Sequence, residues 1–144
     1  MNNQNEAKAK ALLAEGVHTL VLCGGESVLT DTRRGVKPLL ALLDAATNVT
    51  GYAAADRVVG KAAAFLYLRL GVASVYALVM SRPAYDLLTA HGVSASAAAL
   101  VPAIRNRAGD GFCPMETAVW ALTDPTEAEK AIRTTLAALT TPKM

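Results

Sequence analysis

The sequence predicts a mixed α/β fold, one sheet of antiparallel and parallel strands with helices on both faces. Three observations carry this expectation. The pair Gly24-Gly25 separates two short strand-like runs and reads as a two-residue hairpin turn. Beyond it, apolar residues at helical spacing alternate with short strand-like runs, the pattern of strands joined through helices. Residues 74–80 are nearly all apolar, as expected for a central strand covered on both faces.

Each element follows from local signals. Asn3 with Glu6 forms a capping box for a helix over about 4–15, closed by Gly16. Residues 17–23 and 26–30 are the hairpin strands. Val36, Leu39, Leu40 and Leu43 recur at helical spacing, with Pro38 tolerated in the first turn. A short extended piece at 52–55 leads to Asp56, read as the N-cap of a helix reaching about Leu70. Its stripe is Val59, Ala62, Ala63, Leu66 and Leu70. Ser81 caps a helix of about 82–90 that stops at Gly92, and residues 93–101 form another strand ended by Pro102. A loop over 105–111 precedes two helices, about 114–122 and 125–139. The second opens on an ordinary capping box, Asp124-Pro125-Thr126-Glu127. The first has the same layout in Cys113-Pro114-Met115-Glu116, but with cysteine at the cap. Cysteine caps poorly, so its thiol has another use or another neighbour. Free N–H groups would stabilise a thiolate there, with Glu116 opposing, and a small buried hydrophobe is the alternative.

Bulk properties narrow the function. The 144 residues suffice for one filled core and not two, giving a single domain over 1–144. With 53% apolar residues, 5% aromatic and a net charge of +2, no broad field is aimed at nucleic acid or membrane. Two cysteines make no disulfide framework, and the start Met1-Asn2-Asn3-Gln4-Asn5-Glu6 lacks the basic-then-apolar order of a secretory signal, so a cytoplasmic protein is expected. Residues 62–80 are apolar except for Arg69, which costs about 2.5–3.5 kcal/mol in mid-membrane. Gly71 also divides the run, so no span is expected.

Three boxes resemble a known family. They are Arg34-Gly35-Val36-Lys37-Pro38-Leu39-Leu40, Asp56-Arg57-Val58-Val59-Gly60-Lys61-Ala62-Ala63-Ala64, and Asn106-Arg107 leading to Cys113-Pro114-Met115-Glu116. The chain resembles, over about 17–122, a bacterial domain-of-unknown-function family (number eighteen-ninety-three) whose fold is classed as cytidine-deaminase-like. That resemblance implies a three-layer α/β/α sandwich and no established activity. Zinc deaminases carry His-x-Glu at one helix start and Pro-Cys-x-x-Cys at the next. The matching stretches here are Gly60-Lys61-Ala62-Ala63 and Cys113-Pro114-Met115-Glu116, with one cysteine and no histidine. Catalytic zinc needs three protein ligands and an open position, and neither His18 nor His91 supplies the missing set. No metal and no cofactor are expected.

The resemblance places the helix starts bearing Lys61 and Cys113 side by side, making these the candidate catalytic pair on one pocket. Lys61 on a helix with Arg57 would form a like-charge i, i+4 pair calling for an anion, either Asp56 or a ligand. A salt-bridged structural lysine is the alternative. Arg33, Arg34 and Lys37 surround the start of the second helix, where free N–H groups and cations suit a phosphate or carboxylate; a solvated turn is the plainer reading. Asn106, Arg107 and Asp110 lie on a Gly-containing loop of the kind that carries recognition. Candidate ligand-binding residues are thus Arg34, Lys37, Asp56, Asn106, Arg107 and Glu116, around a small anionic or nucleobase-like molecule. A non-catalytic oligomerisation or partner-binding module and a Cys113 thiol sensor are the competing functions. A homo-oligomer is expected because the central helix is apolar beyond one stripe.

Overall fold

The computed structural model describes residues 3–33, 35–105 and 113–140. Leu20–Gly24 (β1) pairs antiparallel with Ser27–Asp31 (β2) on one edge and with Ala53–Val59 (β3) on the other. Ser74–Ser81 (β4) and Ser94–Val101 (β5) continue the sheet parallel to β3, giving the order β2-β1-β3-β4-β5 among the described residues. The helices are Asn3–Ala14 (α1), Lys37–Asp44 (α2), Lys61–Leu70 (α3), Arg82–Ala90 (α4), Pro114–Val119 (α5) and Pro125–Thr140 (α6). This is the mixed, five-stranded open sheet with helices that the pattern predicts.

Alternation along β1 divides the core. Leu20 and Leu22 face a large cluster with α2, α3 and the later helices, while Val21 and Cys23 face a smaller one with Ala9 and Leu13 of α1. Helix α3 sits at the centre, with seven of its ten residues buried and neighbours in α2, α4, α5 and α6. The apolar surface beyond one stripe, which led to the expectation of subunit burial, is therefore taken up within the chain. Arg69, Glu129, Arg133 and Asp44 tie α3, α6 and α2 together in a partly exposed ion-pair chain. Among the described residues no helix is long and apolar enough to cross a membrane.

Against the sequence reading, β1 starts at Leu20 rather than 17, α5 ends at Val119 rather than about 122, and two further boundaries move for physical reasons. Asp56 does not cap a helix; it lies inside β3, opposite Leu20 of β1 and Ala77 of β4. Val58 and Val59, β-branched and paired with Val79 and Met80, prolong the strand, and the helix starts only after Gly60. The hairpin turn also moves by one residue. Gly24 pairs with Ser27, so Gly25 (φ +60°) and Glu26 make the turn. Gly24 is needed for a different reason, because a Cβ there would run into the Tyr52 ring. The local caps match the sequence: Ser81 Oγ accepts from Ala84 N–H at 3.2 Å, and Asp124 Oδ2 from Glu127 N–H at 3.0 Å.

Candidate functional site

A cavity of about 300 Å³ opens where β3 ends and α3 begins. In open α/β sheets the crevice beyond a strand's carboxyl end is the usual place for a ligand. Leu20, Val36, Pro38, Leu39, Ala62, Ala63, Ile104 and Met115 make most of the wall apolar. Asp56, Glu116, Cys113, Arg33, Arg57 and Thr19 are the polar or titratable residues that also line it.

Glu116 builds this corner of the fold. A helix start leaves backbone N–H groups unpaired, and Gly60 before α3 has no side chain to meet them. Glu116 reaches over from α5, its Oε1 accepting from Lys61 N–H at 2.7 Å and Oε2 from Ala62 N–H at 2.8 Å. The residue is 2% exposed. Burial pushes its carboxyl up, while the two N–H groups and the Lys61 charge pull it back. Gly60 is extended (φ −99°, ψ −176°), a conformation open to any residue. What excludes a side chain is space, since a Cβ would strike the Glu116 carboxylate.

Asp56 is the second acid. Tyr67, wholly buried on α3, donates its hydroxyl to Asp56 Oδ2 at 2.7 Å. Burial raises the Asp56 carboxyl to about 6, against the Tyr67 hydrogen bond and the backbone N–H groups of Arg57 and Val58. Burial and the facing carboxyl push the Tyr67 hydroxyl up in turn. Sequence reasoning missed Tyr67. Its signal was a phenol in a stretch of otherwise apolar helix, where a buried O–H must find a partner.

The structure brings some of the sequence-derived residues together and separates others. Cys113 lines the cavity, half-buried at the N-cap of α5, and makes no side-chain capping bond. Lys61 does not share that wall. Its ammonium donates to the Trp120 carbonyl at 2.8 Å and lies 5.6 Å from the Phe65 ring centre. The i, i+4 pairing of Lys61 with Arg57 does not exist, because Arg57 belongs to β3. The Arg57 guanidinium donates to the His18 and Gly16 carbonyls at 3.0 and 2.7 Å. Arg33 forms a two-pronged pair with Asp31, at 2.7 Å from Nη2. Lys37 is exposed and borders a shallow groove between α2 and α6 instead. Arg34, Asn106, Arg107 and Asp110 lie outside the described residues. The other cysteine, Cys23, is buried under α1, and burial pushes its thiol up against the pull of Lys8. Among the described residues no group of three or more His, Cys, Asp or Glu side chains could hold a metal ion.

Comparison with known proteins gives a family and a fold. The family model described as a domain of unknown function (DUF1893) matches residues 8–136. The crystal structure of a DUF1893 family protein from Thermotoga maritima superposes with a TM-score of 0.82 at 28% sequence identity, covering 96% of this chain and 92% of that one. No curated protein matches the chain.

Two outcomes are expected from the site geometry. Gly60→Ala costs on the order of 1–3 kcal/mol of unfolding free energy by displacing the Glu116 carboxylate, and costs less in a Glu116→Ala background. Denaturant titration of the four proteins of that cycle measures the coupling; additive losses count against it. The second outcome is a pH dependence. The folded-state value of Asp56 lies above its ordinary 3.8, so the stability it contributes is present below that value and lost as pH rises through about 6. Replacing Asp56 by Asn removes this loss, so the variant gains on the parent by about 2 kcal/mol between about pH 4 and pH 7. Unfolding curves for both proteins across that range check it, and a constant difference contradicts it.

Proposed function

We propose that this chain, which belongs to the DUF1893 family, binds a small nucleobase-like molecule in the cavity at the end of β3, without zinc. The observation that carries the reading is the Asp56 carboxyl, lifted to about 6 in an otherwise mostly apolar cavity wall. A raised acid in a concave apolar pocket is the usual physical signature of a binding or catalytic site. The volume admits a planar ring, and Cys113 stands in the wall as a contact or a nucleophile. The adjacency of the α3 and α5 starts, joined through Glu116, supports the deaminase-like arrangement on which this reading leans. The anionic alternative is weaker. Glu116 already occupies the N–H groups of α3, and the Lys61 ammonium is spent on a carbonyl.

Assembly with a second copy of the chain is the other reading, and one observation favours it. Strand β5 is a sheet edge eight residues long without charge or proline, and Leu78 and Leu100 nearby are 41% and 45% exposed. An unguarded edge of this kind is a template for the same strand of another copy.

Both readings have direct tests. Purine and pyrimidine bases and nucleosides at millimolar concentration should include at least one that raises the thermal midpoint by several degrees. A cavity-filling Ala63→Leu variant should lose that response while remaining folded. No response to any base counts against a nucleobase-like ligand. For assembly, sedimentation at micromolar concentration should show a dimer that Leu100→Lys disperses, whereas a monomer throughout that range removes the reading.

A further inference from the structure

The polar atoms around the cavity also specify the sign of what fills it. We infer that the ligand presents an amidine-type edge, an amino group beside a protonated or proton-sharing nitrogen, to the Asp56 carboxyl. This rests on the cavity reading above and extends it by naming the ligand's polar edge.

The argument counts donors and acceptors. The Arg57 guanidinium donates to the carbonyls of Gly16 and His18, and the Arg33 guanidinium to Asp31. None of these three partners lines the cavity. The Thr19 hydroxyl is directed to the carbonyls of Asp31 and Arg33, at 3.0 and 2.6 Å. Among the described residues these three side chains thus direct hydrogen bonds at backbone carbonyls and at the Asp31 carboxylate. The acceptors are not exhausted. Each Glu116 oxygen receives one backbone N–H, and each carboxylate oxygen has two lone pairs. Asp56 is held by Tyr67 and by N–H groups of its own strand, and among the described residues no cation is one of the groups that lower its carboxyl. Among the described residues, the titratable or charged groups nearest the cavity are Tyr67 and Lys61 on α3, Arg57 on β3, Arg33 between β2 and α2, and Cys113 and Glu116 at the start of α5, with Asp31, Lys37 and Arg69 on the same elements outside its lining. Neither guanidinium is among the groups that hold the Asp56 carboxyl down; Arg57 does so through its backbone N–H.

An anion entering this space meets the two acids of its described wall. A planar edge with two adjacent N–H groups matches a carboxylate in two parallel hydrogen bonds, the strongest geometry available to such a group. A proton shared between an acid near pH 6 and a weakly basic ring gives the same paired complex from either direction.

Three planar probes of nearly one shape separate the possibilities: benzamidine, benzamide and benzoate, carrying positive, zero and negative charge. Isothermal titration of the full chain should show benzamidine binding at least about tenfold more tightly than benzoate. Benzamidine stays protonated throughout, so its affinity should fall toward about tenfold per pH unit below pH 6, as Asp56 takes up its proton. Asp56→Asn should lose at least about tenfold for benzamidine and little for benzamide. Tyr67→Phe keeps the acid and removes the hydroxyl that lowers it, so the midpoint of the pH profile should move upward even if Asp56→Asn fails to fold. Benzoate binding more tightly than benzamidine overturns the inference and leaves the cavity reading standing. Saturable benzamidine binding that ignores pH and Tyr67→Phe also overturns it. If none of the three probes binds, the cavity reading falls with it.

Discussion

The carboxylate of Glu116, closed onto the first N–H groups of α3, is the constraint on which the rest of this corner depends. A helix start needs acceptors, and α4 and α6 find theirs in Ser81 and Asp124, three residues before the N–H each one caps. Helix α3 begins at the end of a buried strand, behind a glycine, with no local acceptor at all. Its cap comes instead from 55 residues further along. One interaction thereby fixes where α3 starts, where α5 lies and which residue can stand at position 60. Because α3 is the helix against which α2, α4, α5 and α6 pack, an error at its start would be felt through the core.

Burying a carboxylate is costly unless its oxygens are filled, and the two acids in the cavity wall differ in this respect. Glu116 is directed at two backbone N–H groups at the positive end of a helix, an arrangement that offsets much of the burial. Asp56 receives a phenol and N–H groups of its own strand, which leave its carboxyl near 6. The first acid is explained by the architecture. The second gives the buried Tyr67 hydroxyl its partner, while its raised carboxyl works against stability at neutral pH.

Legibility followed the range of the interaction. The caps at Ser81 and Asp124 involve neighbours three residues away, and the sequence shows them plainly. The cap of α3 joins residues far apart, so Glu116 read as part of its own helix start and as a candidate ligand contact, and Asp56 was given the duty of capping. Misplacing that boundary put Arg57 on the wrong element and manufactured a like-charge pair with Lys61. The β-branched Val58-Val59 pair was the available warning that the strand continued. Gly24 read as a turn residue but closes β1, and its exclusion of a side chain comes from Tyr52, 28 positions later, which no local pattern reveals. The cavity could be foreseen only through the resemblance that set α3 and α5 side by side. Its polar content could not, since it depends on which way Lys61, Arg57 and Tyr67 turn.

The third residue after Cys113 is where the deaminase spacing implied by the resemblance would put its second thiolate. In this chain that position holds Glu116, and both of its oxygens are already engaged by N–H groups of the facing helix. The link between two helix starts is thus made by hydrogen bonds within the protein, and it leaves Cys113 and Asp56 as cavity groups without a common partner. A site organised this way selects by shape and by hydrogen-bond complementarity. On the binding reading proposed above, its specificity draws on the Asp56–Tyr67 pair, which couples an acid of the cavity wall to the buried centre of α3.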